Sequence, residues 1–186
     1  MPTEWTVRGI TRAMLPVLLV LTLVEVGSGL VLQSFEARLL RSPSLLVLVP
    51  VTIGTAGNLG SVLAARLSTA FHLGTLSFTP ADDALAGNAL ATVALALTVF
   101  PLVGAGAWAA AELTGGARLA LGTVLAVATT SGAALSVLAV AVTLVATYGA
   151  YRFELDPDDV VIPVVTNVCD VLGVLVLFAA VAVFVG

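Results

Sequence analysis

Five long apolar runs, separated by short connections, are the feature that most constrains the fold of this 186-residue chain. A helix needs roughly 20 apolar residues to cross the hydrocarbon core of a bilayer, and each run reaches that length. Only 10% of the residues are charged, whereas an ordinary soluble domain carries roughly a quarter, so a soluble core is excluded. The sequence therefore predicts an all-α, multi-pass protein of the cell membrane with five transmembrane helices.

The predicted spans form a single membrane domain over residues 1–186. They cover residues 11–33, 45–69, 80–111, 117–151 and 160–185. Arg8 and Arg12 precede the first run, but no small-residue cleavage site follows it, so we interpret this run as a span and not as a removed signal peptide. With the N-terminus in the cytoplasm, four of the arginines near the span ends lie on the cytoplasmic side and three on the outer side, which favours this orientation.

The connections before the second and third spans contain charged residues and helix-start signals. Residues 36–43 read as a charged connection. Before the third span, Thr79 is the predicted N-cap and Pro80 the first helical residue, with Asp82 and Asp83 in the first turn. We therefore expect the third helix to begin at residue 80.

Small and polar residues share one face of the second span. Gly54, Gly57, Asn58 and Ser61 follow the i, i+3, i+4, i+7 spacing of a helix. Together with Pro50, the glycines predict an interrupted helix, which a membrane tolerates only beside another helix or a water-filled cavity. Two interpretations stay open: a cation contacts this stripe, or the stripe packs against another helix with Asn58 as a hydrogen-bonding residue.

Asp170 lies near the middle of the fifth span, where a charged side chain costs at least ~2.5 kcal/mol on insertion scales. Asn167 and Pro163 occupy the same helical face. No arginine or lysine lies at a matching depth in any predicted span. Because intramembrane carboxylates usually mark ion pathways, we predict a functional role for Asp170.

Other polar residues have less specific patterns. Glu25 is a second intramembrane carboxylate, which either lines a pathway or is a protonated packing residue. Asn88 is expected to form an interhelical hydrogen bond. His72 has no second His or Cys nearby, so we expect no metal role for it. The acids of residues 156–159 are expected to be solvated loop residues, with a cation-attracting rim as the alternative.

Two segments resemble a known family. Residues 54–60, GTAGNLG, and residues 66–70, RLSTA, are similar to the second helix of the MgtE magnesium transporters and their eukaryotic solute-carrier relatives, and the RLSTA run is closest to the eukaryotic branch. Residues 156–159, DPDD, followed by Pro163 and Asp170, resemble the loop and final helix of that family. The order and spacing agree over all five spans.

The resemblance implies a pore and a metal site. In this family two five-helix units form a pore on a twofold axis, and the last-helix aspartates of both units bind a largely hydrated Mg²⁺. The matching aspartate is Asp170, and the family's Gly-Asn segment maps to Gly57 and Asn58, which favours cation contact for Asn58. Glu25 and Asn167 complete the expected set of metal-site residues.

The expected partners follow from the same reading. The transported ion is expected to be Mg²⁺, and no organic cofactor is expected. A second identical chain or a related half-transporter would complete the dimer in the lipid bilayer. The excess of 11 acidic over 7 basic residues argues against nucleic-acid binding. Unlike bacterial MgtE, the 186 residues include no cytoplasmic regulatory domain, so we do not expect gating by such domains.

Two other functional classes compete with transport. An enzyme is not expected, because the predicted spans contain no histidine and the chain has one cysteine, too few groups for a nucleophile and base or a clustered metal site. A membrane assembly or structural subunit without its own ion pathway is the stronger rival. Asp170 distinguishes the two, since a pore ligand is needed for flux and a packing residue is needed for assembly.

Overall fold

The computed structural model describes residues 6–77, 79, 82–116 and 118–186, and the regular structure there is entirely helical. The helices are α1 (Val7–Ser34), α2 (Glu36–Arg41), α3 (Pro43–His72), α4 (Asp83–Thr114), α5 (Leu121–Arg152) and α6 (Pro157–Phe184). All except α2 are long and apolar enough to cross a membrane. The prediction of an all-α, multi-pass membrane protein with five transmembrane helices is confirmed.

The predicted charged connection at residues 36–43 is instead largely helical. Helix α2 fills most of it and is followed after Ser42 by Pro43, the first residue of α3. Six residues are too few for hydrophobic periodicity to reveal a helix. The sequence therefore could not distinguish α2 from an irregular connection.

Helix α4 begins three residues later than predicted. Its N-cap is Asp82, not Thr79: Leu85 N donates to Asp82 Oδ1 at 3.0 Å, and Ser77 N donates to Asp82 Oδ2 at 3.0 Å. These bonds to the carboxylate hold the pKa of Asp82 below its usual value, with the backbone bond from Ser77 as the largest cause. The predicted first helical residue, Pro80, lies outside the described residues, as does Ala117, the predicted start of the fourth span.

Helix α3 is continuous, so the predicted interruption is wrong. It runs without a break from Pro43 to His72 through Pro50 and its glycines. Proline removes a single backbone donor, and neighbouring helices compensate for that loss in a membrane bundle. A continuous helix uses its carbonyl groups in its own hydrogen bonds. A cation beside α3 would therefore contact side chains more readily than backbone oxygens.

Helix α5 packs against α3, α4 and α6 and forms the centre of the bundle. Helix α1 lies at the periphery and packs against α6 and the short α2. The α4–α5 contact depends on glycine: a Cβ atom on Gly104 would lie 2.8 Å from the Ala128 Cβ, and one on Gly132 would overlap the Phe100 ring. Small residues at such contacts let membrane helices approach closely.

We expect Gly132→Ala to destabilise the protein by about 1–3 kcal/mol, because the added methyl group meets the buried Phe100 side chain. Gly149→Ala on the same helix is the matched control, since a Cβ atom there has no neighbour within 4 Å. Thermal unfolding of both variants in detergent measures the difference. Equal midpoints for Gly132→Ala and Gly149→Ala would contradict this account of the α4–α5 contact.

Candidate functional site

Helices α3 and α6 approach each other closely along the predicted small-residue stripe. A Cβ atom on Gly60 would lie 2.6 Å from Val165 Cγ1, so only glycine fits there without a shift. Ser61 Oγ and Thr166 Oγ1 form a hydrogen bond of 2.8 Å across the same contact. The stripe on α3 is thus in part a helix-packing surface, as one of the two interpretations proposed.

Asp170 lies at the edge of this contact, beside two of the other predicted site residues. A Cβ atom on Gly57 would lie 3.4 Å from Asp170 Oδ1, so the glycine places the α3 backbone next to the carboxylate. From α1, the Glu25 carboxyl group approaches Asp170 closely enough for a side-chain hydrogen bond. The structure therefore brings Asp170, Gly57 and Glu25 together from three helices.

The site opens onto an uncovered face of the bundle. Within the described residues α1 and α3 both pack on α6 but not on each other, which leaves a gap between them with α6 at its floor. Asp170 is partly buried on that floor, whereas Glu25 on one side and Asn58 on the other are exposed. Polar groups with no cover are costly in lipid, so this face is suited to a water-filled path or a partner chain.

The two carboxyl groups lack a cationic partner in the part of the chain that the structure describes. Among the described residues neither Asp170 nor Glu25 forms an ion pair, and the His72–Asp156 contact lies about four turns away along α6. Two carboxylates that face each other repel when both are charged, and a carboxylate at membrane depth without a counter-ion is costly. A bound cation or a shared proton would therefore stabilise this arrangement.

Asn167 lies one turn before Asp170 on the same side of α6. Its Nδ2 donates to the Pro163 carbonyl oxygen at 3.0 Å. That bond fixes the side-chain amide and leaves its Oδ1 free to accept from a ligand or a water. The partly buried Asn167 thus adds a neutral oxygen to the face that carries Asp170.

The two amides singled out in the sequence have different environments. Asn58 is exposed, and its side chain makes no hydrogen bond to any described residue. Asn88 joins two helices instead: its Oδ1 accepts a hydrogen bond from Arg66 Nε, and its Nδ2 donates to the Ala84 carbonyl oxygen at 2.8 Å. The interhelical role expected for Asn88 is confirmed, and a packing hydrogen bond for Asn58 has no partner within the described chain.

A second group of ligand-type side chains lies at the other end of the same helices. His72 has no second His or Cys in this group, but Asp156 and Asp158 approach it from the start of α6, which its position in the sequence did not indicate. Asp156 also caps α6, and Asp158 accepts a hydrogen bond from the buried Ser68. These two acids are therefore held in place rather than freely solvated in a loop.

Comparison with known proteins identifies one family. A family model described as MgtE, divalent cation transporter, matches residues 49–180, well over half of the chain. The matched region contains Gly57, Asn58, Asn167 and Asp170 and excludes Glu25, which lies on α1. No curated protein matches the sequence.

The contrast between the two amides yields a test. We expect Asn88→Leu to lower the free energy of unfolding by about 0.5–1.5 kcal/mol, because it removes the interhelical bond to Arg66. Asn58→Leu, the matched control, should leave the metal-free protein as stable as the wild type. Thermal unfolding in detergent without divalent cations measures both, and a larger loss for Asn58→Leu would contradict the assignment.

Proposed function

The chain belongs to the MgtE family of divalent cation transporters, and we propose that it transports largely hydrated Mg²⁺ as a twofold dimer with the Asp170 carboxylates facing the axis. MgtE is a transporter family and not an enzyme family, so membership supports transport rather than catalysis. The family match supports divalent cation transport in general and does not distinguish branches of the family. The similarity of residues 66–70 to the eukaryotic branch is therefore part of the proposal.

The observation that carries this proposal is that Asp170 is partly buried, has no ion-pair partner among the described residues and lies beside an uncovered face of the bundle. A purely structural aspartate in a membrane is stabilised by a cationic or hydrogen-bonding partner from its own bundle. Here the side chain that interacts with Asp170 is another carboxyl group, that of Glu25, which can share a proton but supplies no positive charge. A cation in the gap between α1 and α3 would neutralise both groups.

The ligand chemistry favours a hydrated hard cation. Mg²⁺ prefers octahedral oxygen coordination and releases its water reluctantly, so proteins usually hold it through few carboxylates while several waters remain. Asp170 supplies a carboxylate, and Asn58 and Asn167 supply neutral amide oxygens. Gly57 has no side chain, so the α3 backbone lies close to the Asp170 carboxylate, where a Cβ atom would be 3.4 Å from Oδ1. Few, water-mediated contacts also permit release.

A dimer is proposed because one chain forms only one side of such a path. The face with Glu25, Asn58 and Asp170 has no cover within the described residues. A second copy related by a twofold axis would place the same polar face opposite, as isologous contacts require. Each copy would bring two carboxyl groups to the axis, and the four groups together would concentrate divalent cations there. A related half-transporter in place of the second copy is an outcome that the crosslinking test below distinguishes.

We expect Asp170→Asn to abolish the stabilisation of the protein by Mg²⁺ without destabilising the metal-free protein. The amide keeps the shape of the side chain, removes the repulsion from Glu25 and can donate a hydrogen bond to it. Mg²⁺ at 100 times its Kd stabilises the wild type by about 2.7 kcal/mol if it binds only the folded state. Thermal unfolding in detergent with and without Mg²⁺ measures this difference.

The matched control for that experiment is Asp83→Asn, which removes an exposed carboxylate from the first turn of α4. This control should keep the full Mg²⁺ effect. Equal stabilisation of wild type and Asp170→Asn by Mg²⁺ would place the cation elsewhere. A metal-free Asp170→Asn protein that unfolds much more easily would instead show that Asp170 has a structural role.

We expect a thiol at position 167 to crosslink to its twin across the dimer axis. Asn167→Cys in a Cys169→Ala background places one thiol near Asp170, within reach of a short bifunctional reagent if the two faces meet. Leu95→Cys on α4 is the control, because that exposed residue lies on a helix that contacts neither α1 nor α6. Dimer formation by Leu95→Cys but not Asn167→Cys would contradict the proposed axis, and crosslinking only to a different protein would indicate a heterodimer.

A further inference from the structure

Three metal-ligating side chains converge where α3 ends and α6 begins. One ligand atom each of His72, Asp156 and Asp158 lies within 4.8 Å of the other two. His72 Nε2 is 3.8 Å from Asp156 Oδ1, near enough for one ion to contact both atoms. Because the histidine and the acids are far apart in the sequence, only the packing of α3 on α6 brings them together.

The histidine ring is oriented with its second nitrogen toward the acids. His72 Nδ1 lies 3.0 Å from the Ser68 carbonyl oxygen, which can only accept, so Nδ1 carries the proton. The lone pair of the neutral ring is then on Nε2, the atom that faces Asp156. A histidine that ligates through one nitrogen commonly donates from the other to a backbone carbonyl, and this arrangement matches that pattern.

The carboxylates are positioned as well. Ser68 is 2% exposed, and its hydroxyl group donates to Asp158 Oδ1 at 2.6 Å. Asp156 Oδ1 accepts from the Asp158 backbone N at 3.0 Å as part of the α6 cap. A hydrogen bond to a residue at the end of α3 or the start of α6 therefore orients each of the three side chains. The two carboxylates have further lone pairs that can bind a ligand.

We propose that His72, Asp156 and Asp158 bind a divalent transition-metal ion, at a site separate from Asp170. One imidazole nitrogen with two carboxylates suits ions such as Zn²⁺, whereas Mg²⁺ prefers oxygen ligands alone. Asp158 precedes Asp170 by 12 positions on α6, which separates the two sites by roughly 18 Å along the helix. This inference does not rest on the proposed transport of Mg²⁺.

A metal at this site would join the C-terminal end of α3 to the first turn of α6. These are the two helices that carry Gly57, Asn58 and Asp170. In its absence the contact depends on the His72–Asp156 pair, the bond from Ser68 to Asp158 and side-chain packing. The ion would thus fix the spacing of the two helices at one end of the gap.

The single histidine of the chain permits a direct test. The full chain, purified without a histidine tag and labelled with ¹⁵N-histidine, is titrated with Zn²⁺ in a large excess of Mg²⁺. We expect one equivalent of Zn²⁺ to shift the Nε2 resonance while Nδ1 remains protonated. Asp158→Asn, which preserves an acceptor for Ser68, should weaken the Zn²⁺ affinity by roughly tenfold or more.

Two controls separate this site from the rest of the protein. Asp83→Asn removes a carboxylate outside the cluster, and Asp170→Asn removes the proposed Mg²⁺ ligand, so both should bind Zn²⁺ at His72 like the wild type. The proposal is overturned if Zn²⁺ leaves Nε2 unchanged, if Asp158→Asn binds equally well, or if Asp170→Asn abolishes the Nε2 shift. If Zn²⁺ does not bind at His72, the proposed Mg²⁺ site at Asp170 is unaffected, because the Mg²⁺-dependent stability of wild type and Asp170→Asn tests it separately.

Discussion

The carboxyl group of Asp170, which lies inside the membrane without a cationic partner among the described residues, is the constraint on which the rest of the structure depends. A charge at this depth is stabilised only by a counter-ion, by water or by a partner group. The chain supplies no cationic partner among its described residues and instead places a second carboxyl group, that of Glu25, within hydrogen-bonding reach. The bundle also leaves this pair open to one side, where α1 and α3 do not meet. Two carboxyl groups in this position would be unfavourable in an isolated helical bundle. They are suited to a transporter, because the transported cation neutralises their charge.

The packing of the helices explains how such a site is held without closing. Helix α5 packs on α3, α4 and α6, and its contact with α4 is close at Gly104 and Gly132. The α3–α6 contact is equally close at Gly60, yet one turn earlier Gly57 faces Asp170 instead of an apolar side chain. Glycine therefore allows close packing against an apolar side chain at one position and close approach to a carboxylate at the other. A rigid scaffold behind an open face is the property that precise ion contacts require.

Much of this could be predicted from the sequence, because length and composition decide whether a run can cross a bilayer. The face shared by Asp170 and Asn167 followed from helical periodicity, and the stripe that includes Gly57 followed from its spacing. Four features could not be found this way. Helix α2 is too short for a periodic signal, and α3 tolerates Pro50 because its neighbours compensate for the lost bond. The neighbours of His72 and the Arg66 bond to Asn88 depend on which helices pack together, and spacing within one helix carries no information about that.

Transport by purified protein in liposomes tests the central claim most directly. Vesicles that contain the wild type should take up Mg²⁺ down its gradient, and vesicles with an equal amount of folded, dimeric Asp170→Asn should show only the background leak. Asp83→Asn should transport like the wild type, because its carboxylate lies outside the gap between α1 and α3. Equal Mg²⁺ uptake by Asp170→Asn and wild type would contradict the account, since the ion would then cross the membrane without the group that we assign to its site.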